Sequence, residues 1–269
     1  MKGSSGYIGL GQKELHYTRS GYGQRVLLVF HGYGHEGERM RIFENYLGEE
    51  FTSYFIDLPH HGKSLWNTDD ILTVNDVNSL VKELMKTHNV PKVSLLGYSM
   101  GGRVCLSIID QLPEYIDKVT LLAPDGLRID PYYLFFTGNF LGKKIFRHVV
   151  AKPGFYKRVI KVMKDSNLID ESRYKFVQYY LNSEYHRLQL GSVWPAMAAL
   201  TTTVAGVKEK IKKHNVNITI FTGKYDKVIP PSLAEKFVSG LNSVDLNIIE
   251  KGHRVFDSGN AAFIARTLL

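Results

Sequence analysis

The residues most able to do chemistry lie in Gly97-Tyr98-Ser99-Met100-Gly101, between an apolar run (Val93–Gly97) and a helical pattern (Met100–Leu112). A serine hydroxyl is a poor nucleophile at neutral pH. It needs exposure at a sharp turn and a general base within hydrogen-bond reach. Small residues two before and two after Ser99 let the backbone bend and let strand and helix pack closely. A base is on offer in Gly252-His253, after the last apolar run, Val244–Ile249. An acid to hold that imidazole is on offer in Gly223-Lys224-Tyr225-Asp226, followed by Val228-Ile229-Pro230-Pro231. Asp125, after Lys118–Ala123, is a rival acid. The chain order Ser99, Asp226, His253 is the one expected for G-x-S-x-G after a strand. An oxyanion formed by attack needs two backbone N–H donors. The Met100 amide, at the start of the next helix, is one. The other falls in the loop after His31-Gly32, most simply at Tyr33, with Gly34 as the alternative.

These residues need a scaffold, and the pattern supplies one. Arg25–Phe30, Ser53–Asp57, Val93–Gly97, Lys118–Ala123, Val216–Thr222 and Val244–Ile249 read as strands. Met40–Glu50, Thr73–His88, Met100–Leu112, Pro231–Leu241 and Ala261–Leu269 read as helices. Alternation of this kind predicts a mostly parallel sheet with helices on both faces, an α/β fold. Residues 7–19 add antiparallel edge strands. Ser99, Asp226 and His253 then all follow strands at the C-terminal edge, where open α/β sheets carry their sites. The alternation lapses over residues 127–206, which read as a helical cap inserted into a core of 1–126 and 207–269. Within it Pro153–Asp165 sets Phe155, Val159, Val162 and Met163 on one face, and Ser172–Asn182 carries Phe176, Tyr179 and Tyr180.

The motifs together closely resemble the α/β-hydrolase superfamily. His31-Gly32 follows the first parallel strand. Asp57-Leu58-Pro59-His60-His61-Gly62-Lys63-Ser64 follows the next, with one departure, read as His61 where a second glycine is usual. Gly97–Gly102 matches the family's nucleophile elbow, Gly223–Pro230 its acid loop and Gly252-His253 its base loop. The resemblance implies an α/β-hydrolase fold and a Ser99-His253-Asp226 triad. It implies a serine hydrolase acting on an ester or thioester of a small molecule, or on a C–C bond, with no cofactor. A serine at the elbow argues against the carboxylate chemistry of haloalkane dehalogenases and epoxide hydrolases. The elbow, extended through Gly102-Arg103, is also similar to that of the menaquinone-pathway SHCHC synthases, lyases that hold carboxylates with arginines. In that reading Arg103 binds substrate, with Arg128, Arg147, Arg158, Arg173 and Arg187 as further candidates. The bland reading of Arg103 is a structural salt bridge. A non-catalytic small-molecule-binding protein on the same scaffold is the reading from another class, and a degenerate triad would favour it.

Composition bounds the alternatives. The chain has 269 residues, 44% hydrophobic and 22% charged, with a formal net charge of +8. These are ordinary globular values. Residues 127–206 hold 12 basic and 5 acidic residues, so the excess is concentrated there, together with 14 of the 32 aromatics. That charge either faces solvent on the cap helices or draws a substrate with an apolar or aromatic body and an anionic group. No nucleic-acid-binding motif accompanies it, so no nucleic-acid partner is expected. No apolar run is long enough to span a membrane, and the N-terminus has no signal-type core. A single cysteine, Cys105, suits a reducing, cytoplasmic setting. Neither metal nor cofactor motifs are present: adjacent His60 and His61 point in different directions and fit a turn. Oligomeric state is not legible.

Overall fold

All six apolar runs form strands, and each is short because it crosses the sheet once. In the computed structural model, which describes residues 3–128, 130–169, 171, 174, 178 and 182–269, eight strands form one sheet. They are β1 (Ser4–Leu10), β2 (Lys13–Ser20), β3 (Arg25–Phe30), β4 (Phe51–Ile56), β5 (Val93–Tyr98), β6 (Ile116–Leu122), β7 (Asn217–Gly223) and β8 (Val244–Ile249). Their spatial order is β1-β2-β4-β3-β5-β6-β7-β8. The β1/β2 and β2/β4 pairs are antiparallel and all the others parallel. The expected edge strands over residues 7–19 are therefore longer, reaching back to Ser4 and on to Ser20.

Strands β3 to β6 are buried along nearly their whole length. This is why they read as continuous apolar runs rather than alternating ones. The chain passes from β3 outward to β4 and then back across to β5, so the winding reverses between β3 and β5. A crevice opens at such a switch point, beyond the strands' C-terminal ends. The loops after Phe30 and Tyr98 leave from that place.

Helix Val74–His88 starts on a reciprocal cap between Thr73 and Asp76 and buries Val77, Leu80, Val81 and Leu84. Helix Met100–Gln111 is buried on nearly every side, including Val104, Cys105, Ile108 and Ile109. The helix expected over Met40–Glu50 is instead a 3₁₀ segment, Gly37–Phe43, followed by one α-turn, Glu44–Leu47. Buried Met40, Phe43 and Leu47 explain the change. A spacing of three suits the tighter helix and a spacing of four the α-turn. The Asp57 carboxylate fixes the start by accepting the Gly37 N–H at 2.7 Å.

The chain divides into two compact units. The first comprises Met1–Asn67, Leu72–Arg128 and Ala199–Leu269; the second comprises Thr68–Ile71 and Ile129–Ala198. Helix Val204–His214 belongs to the first unit, so the sequence reading of 127–206 runs past the second unit's end. The second unit contains helices Pro131–Gly138, Phe140–Ala151, Pro153–Asp165 and Glu184–Ala196. Its interior stacks Phe146 on Trp194 at 5.4 Å and sets Tyr133 edge-on to Trp194 at 5.2 Å. Arg187 is buried there, its Nε donating to the Val150 carbonyl at 2.6 Å. The apolar face expected on Pro153–Asp165 stays partly open, with Phe155 39% and Val162 62% exposed. The helix expected over Ser172–Asn182, with Phe176, Tyr179 and Tyr180, falls largely outside the described residues, as does Arg173.

Candidate active site

Ser99 closes β5 in a conformation that L-residues avoid, φ 49° and ψ −113°. Such strain persists only where surrounding structure over-determines it. Here the Ser99 N–H donates to the Leu122 carbonyl at 2.9 Å. The Ser99 carbonyl accepts the N–H groups of Gly102 and Asp125 at 2.8 and 2.9 Å. Gly101 is required by contact. A Cβ there would lie 2.2 Å from the Phe30 carbonyl oxygen of β3.

The structure brings Ser99, His253 and Asp226 into one hydrogen-bonded chain. His253 Nε2 lies 2.9 Å from Ser99 Oγ, and His253 Nδ1 lies 2.8 Å from Asp226 Oδ2. Asp226 is buried, and its other oxygen accepts the Val228 and Ile229 N–H groups at 2.8 and 2.9 Å. With both carboxylate oxygens occupied, the acid cannot swing away from the ring. A carboxylate only accepts, so Nδ1 carries the proton and Nε2 is left to accept from the serine. Tyr98 braces the imidazole, with ring centres 5.5 Å apart, and itself rests edge-on against Phe256 at 5.0 Å.

The rival acid is engaged elsewhere. Asp125 Oδ2 is ion-paired with Arg103 Nη2, and its Oδ1 accepts the Gly126 N–H at 2.7 Å. Arg103 thus lies on the helix after Ser99 with its guanidinium joined to the turn after β6. Cys105 is fully buried, and burial pushes its thiol up, away from the reactive thiolate.

The loop after β3 lies against the serine. A Cβ on Gly32 would come within 3.2 Å of the Ser99 Cβ. Tyr33 follows it, and Met100 opens the helix beyond the serine. Of the two loop amides named from sequence, that of Gly34 is committed: it donates to His61 Nε2 at 3.0 Å. His61 Nδ1 in turn donates to the Pro59 carbonyl at 2.8 Å. His31 is tied similarly, Nε2 accepting the Leu58 N–H at 2.9 Å and Nδ1 donating to the Gly32 carbonyl at 2.7 Å. The two rings meet edge-on at 5.0 Å. Burial holds the His61 imidazole down at about 4. Burial, and then the neighbouring His61, holds His31 well below its usual range. Both rings are neutral at physiological pH, which is what lets each accept as well as donate.

Sequence reasoning missed His61, because it was read as a mere departure from a glycine pattern. The structure corrects that position. The residue in the left-handed region is His60, at φ 60°, so the glycine replaced is the one before His61. The signal was available in the spacing Asp57-x-x-His60-x-Gly62-x-Ser64. Asp57 organises the same loop, accepting the Lys63 N–H at 3.0 Å and His16 Nδ1 at 2.8 Å besides Gly37.

Among the described residues no group of three histidine, cysteine or acidic side chains could hold a metal. Among them, too, no helix is long and apolar enough to cross a membrane.

Known proteins share this architecture. The chain is 26% identical over 245 residues to an uncharacterized hydrolase, YugF, of Bacillus subtilis (strain 168), covering 89% of this chain and 86% of that protein. It is 22% identical over 249 residues to 2-hydroxy-6-oxononadienedioate/2-hydroxy-6-oxononatrienedioate hydrolase 1 of Pseudomonas putida, covering 89% and 85%. The crystal structure of MGS-M2, an alpha/beta hydrolase enzyme from a Medee basin deep-sea metagenome library, superposes with a TM-score of 0.69 at 15% identity, covering 98% of this chain and 96% of that one. A family model described as alpha/beta hydrolase fold matches residues 25–265. With that match spanning most of its length, the chain belongs to the alpha/beta hydrolase fold family.

Proposed function

We propose that this hydrolase cleaves an ester or thioester of a small molecule through an acyl-enzyme on Ser99. The observation that carries the reading is the chain from Ser99 Oγ through His253 to the fully engaged Asp226. His253 Nε2 takes the serine proton as Oγ attacks the acyl carbon and returns it to the departing alcohol or thiol. Asp226 keeps the tautomer and stabilises the imidazolium. The Met100 and Tyr33 amides are assigned to the oxyanion, with His61 fixing the next amide of the same loop. Water then repeats the sequence on the acyl-enzyme and regenerates Ser99.

A second reading has a specific support. The Pseudomonas putida relative is, by its name, a hydrolase of 2-hydroxy-6-oxo dienedioates, and the same three residues can serve a C–C bond. The lyase reading calls on Arg103 to hold a substrate carboxylate. The ion pair with Asp125 favours a positioning role for that arginine. The basic and aromatic residues of 127–206 support a substrate with an apolar or aromatic body and an anionic group. A lone buried cysteine fits a cytoplasmic enzyme.

Labelling by a fluorophosphonate probe tests the nucleophile. The wild-type chain is expected to label and Ser99→Ala to stay unlabelled. A wild-type chain that does not label, or an alanine variant that labels equally, refutes the assignment and revives the non-catalytic binding protein.

A further inference from the structure

A long stretch of the second unit carries charge of one sign only. Residues 131–164 contain eight Lys and Arg and no Asp or Glu, against a formal net charge of +8 for the whole chain. Lys164 is compensated by Glu171 at 2.9 Å. Among the described residues the other seven have no ion pair.

Helix Phe140–Ala151 shows what accompanies the charge. Gly142, Phe146, Val149 and Val150 fall on one side at helical spacing and are buried. The same spacing turns Phe140, Lys143, Lys144, Arg147 and His148 to the opposite side, with Leu141 at its flank, and all six are exposed. Phe140 is 78% and Leu141 59% exposed. The face continues into the next helix, where the His148 ring meets Phe155 edge-on at 4.7 Å. Helix Pro153–Asp165 then sets Phe155 and Val162 two turns apart on its exposed side, near Arg158 and Lys161. On the other flank, helix Pro131–Gly138 packs so closely that a Cβ on Gly142 would lie 1.8 Å from the Phe135 carbonyl oxygen. Leu134 and Phe135 are exposed there.

Single exposed apolar side chains need no explanation, but several on neighbouring helices do. Here they alternate with unpaired cations. Apolar groups that enter the boundary between headgroups and acyl chains, flanked by Lys and Arg on acidic headgroups, are what an anionic bilayer surface binds. A second copy of the same face would set seven unpaired cations against seven. Duplex nucleic acid would meet the charge but offers no apolar layer to Phe140 and Leu141.

We infer that this face of the second unit docks on an anionic lipid bilayer surface. Phe140 and Leu141 enter the headgroup boundary, and Lys143, Lys144 and Arg147 lie over acidic headgroups. The contact is peripheral, since a helix of 12 residues is too short to span a bilayer. The inference goes beyond the proposed reaction and does not depend on Ser99.

The test uses the full chain and sedimented vesicles of phosphatidylcholine, either alone or with about 30% phosphatidylserine. The chain is expected to bind the anionic vesicles about 100-fold more tightly, and less tightly as salt rises. Lys143→Gln, Lys144→Gln and Arg147→Gln together should weaken that binding about 100-fold, at about fivefold per cation. Phe140→Ala with Leu141→Ala should weaken it about tenfold and leave the salt dependence in place. The five side chains are exposed, so the variants should stay folded, and thermal unfolding checks this. Equal binding to both kinds of vesicle, or none to either, overturns the inference. Binding that falls with the three cations but not with Phe140 and Leu141, and that duplex DNA displaces, overturns it in favour of nucleic acid. Self-association without lipid that Phe140→Ala and Leu141→Ala abolish overturns it in favour of a second copy.

Discussion

Replacing His61 by leucine removes the acceptor that holds the Gly34 N–H and the donor that holds the Pro59 carbonyl. It keeps an apolar side chain in the buried site. Each lost hydrogen bond costs about 1 kcal/mol net, and more if the partner is left dry. Gly34 is exposed, so water can replace its lost partner, whereas the Pro59 carbonyl faces a buried ring. A loss of about 2–4 kcal/mol in stability follows. The catalytic cost has a ceiling. Removing one oxyanion donor outright costs about 100- to 1000-fold in kcat. His61→Leu removes no donor but releases the loop that carries the Tyr33 amide, so the expected fall in kcat is smaller, about 10- to 100-fold. KM should change little, because the oxyanion contact is made only as charge develops. His61→Gln keeps an acceptor and a donor and should recover much of kcat. The assay is steady-state hydrolysis of the best p-nitrophenyl ester, beside thermal unfolding to show that each variant is folded. A folded leucine variant with kcat within about twofold of wild type would refute the argument. A glutamine variant as slow as the leucine one would refute the specific role of the Gly34 bond.

Two further outcomes are expected. Asp226→Asn should lower kcat by about four orders of magnitude, by disturbing the His253 tautomer, and Asp125→Asn far less, because it frees only Arg103; steady-state kinetics giving the reverse order would move the acid to the turn after β6. Acid should weaken the fold between about pH 6.5 and 4. His61 is held at about 4 against an ordinary 6.5, so its neutral form is favoured by folding. Its contribution, about 3 kcal/mol, is full above pH 6.5 and is lost as pH falls through 4. His31 acts in the same direction. Urea denaturation across that range reads the slope, and His61→Gln should flatten it.

The sheet was legible because its physics is local. Runs such as Arg25–Phe30 and Val93–Gly97 are apolar throughout, as parallel strands buried on both faces must be. Ser99 was legible because glycine stands where β3 leaves no room for a Cβ. His253 and Asp226 were named from the loops that follow strands, and the structure sets them 2.8 Å apart across 27 residues of chain. The segment 37–47 was harder. A three-residue spacing followed by a four-residue spacing looks like one helix from sequence, and only the Asp57 bond to Gly37 reveals where it begins.

What the sequence hides is which polar groups satisfy one another at a distance. Nothing in its own neighbourhood distinguishes Arg103, paired across the turn to Asp125, from Arg254, which follows His253 in the chain and has no ion pair among the described residues. Both are single arginines next to a motif residue. Charge count favoured 127–206, since most of the excess lies there, yet a count does not tell which charges are compensated within the fold. Arg41, between Glu38 and Glu44, and Arg103, on Asp125, have spent their charge within the fold. Arg39, two residues from Arg41 on the same 3₁₀ segment, has not. Arg41 ties the segment together, while Arg39 is exposed and has no ion pair among the described residues, and no count of basic residues could have separated the two.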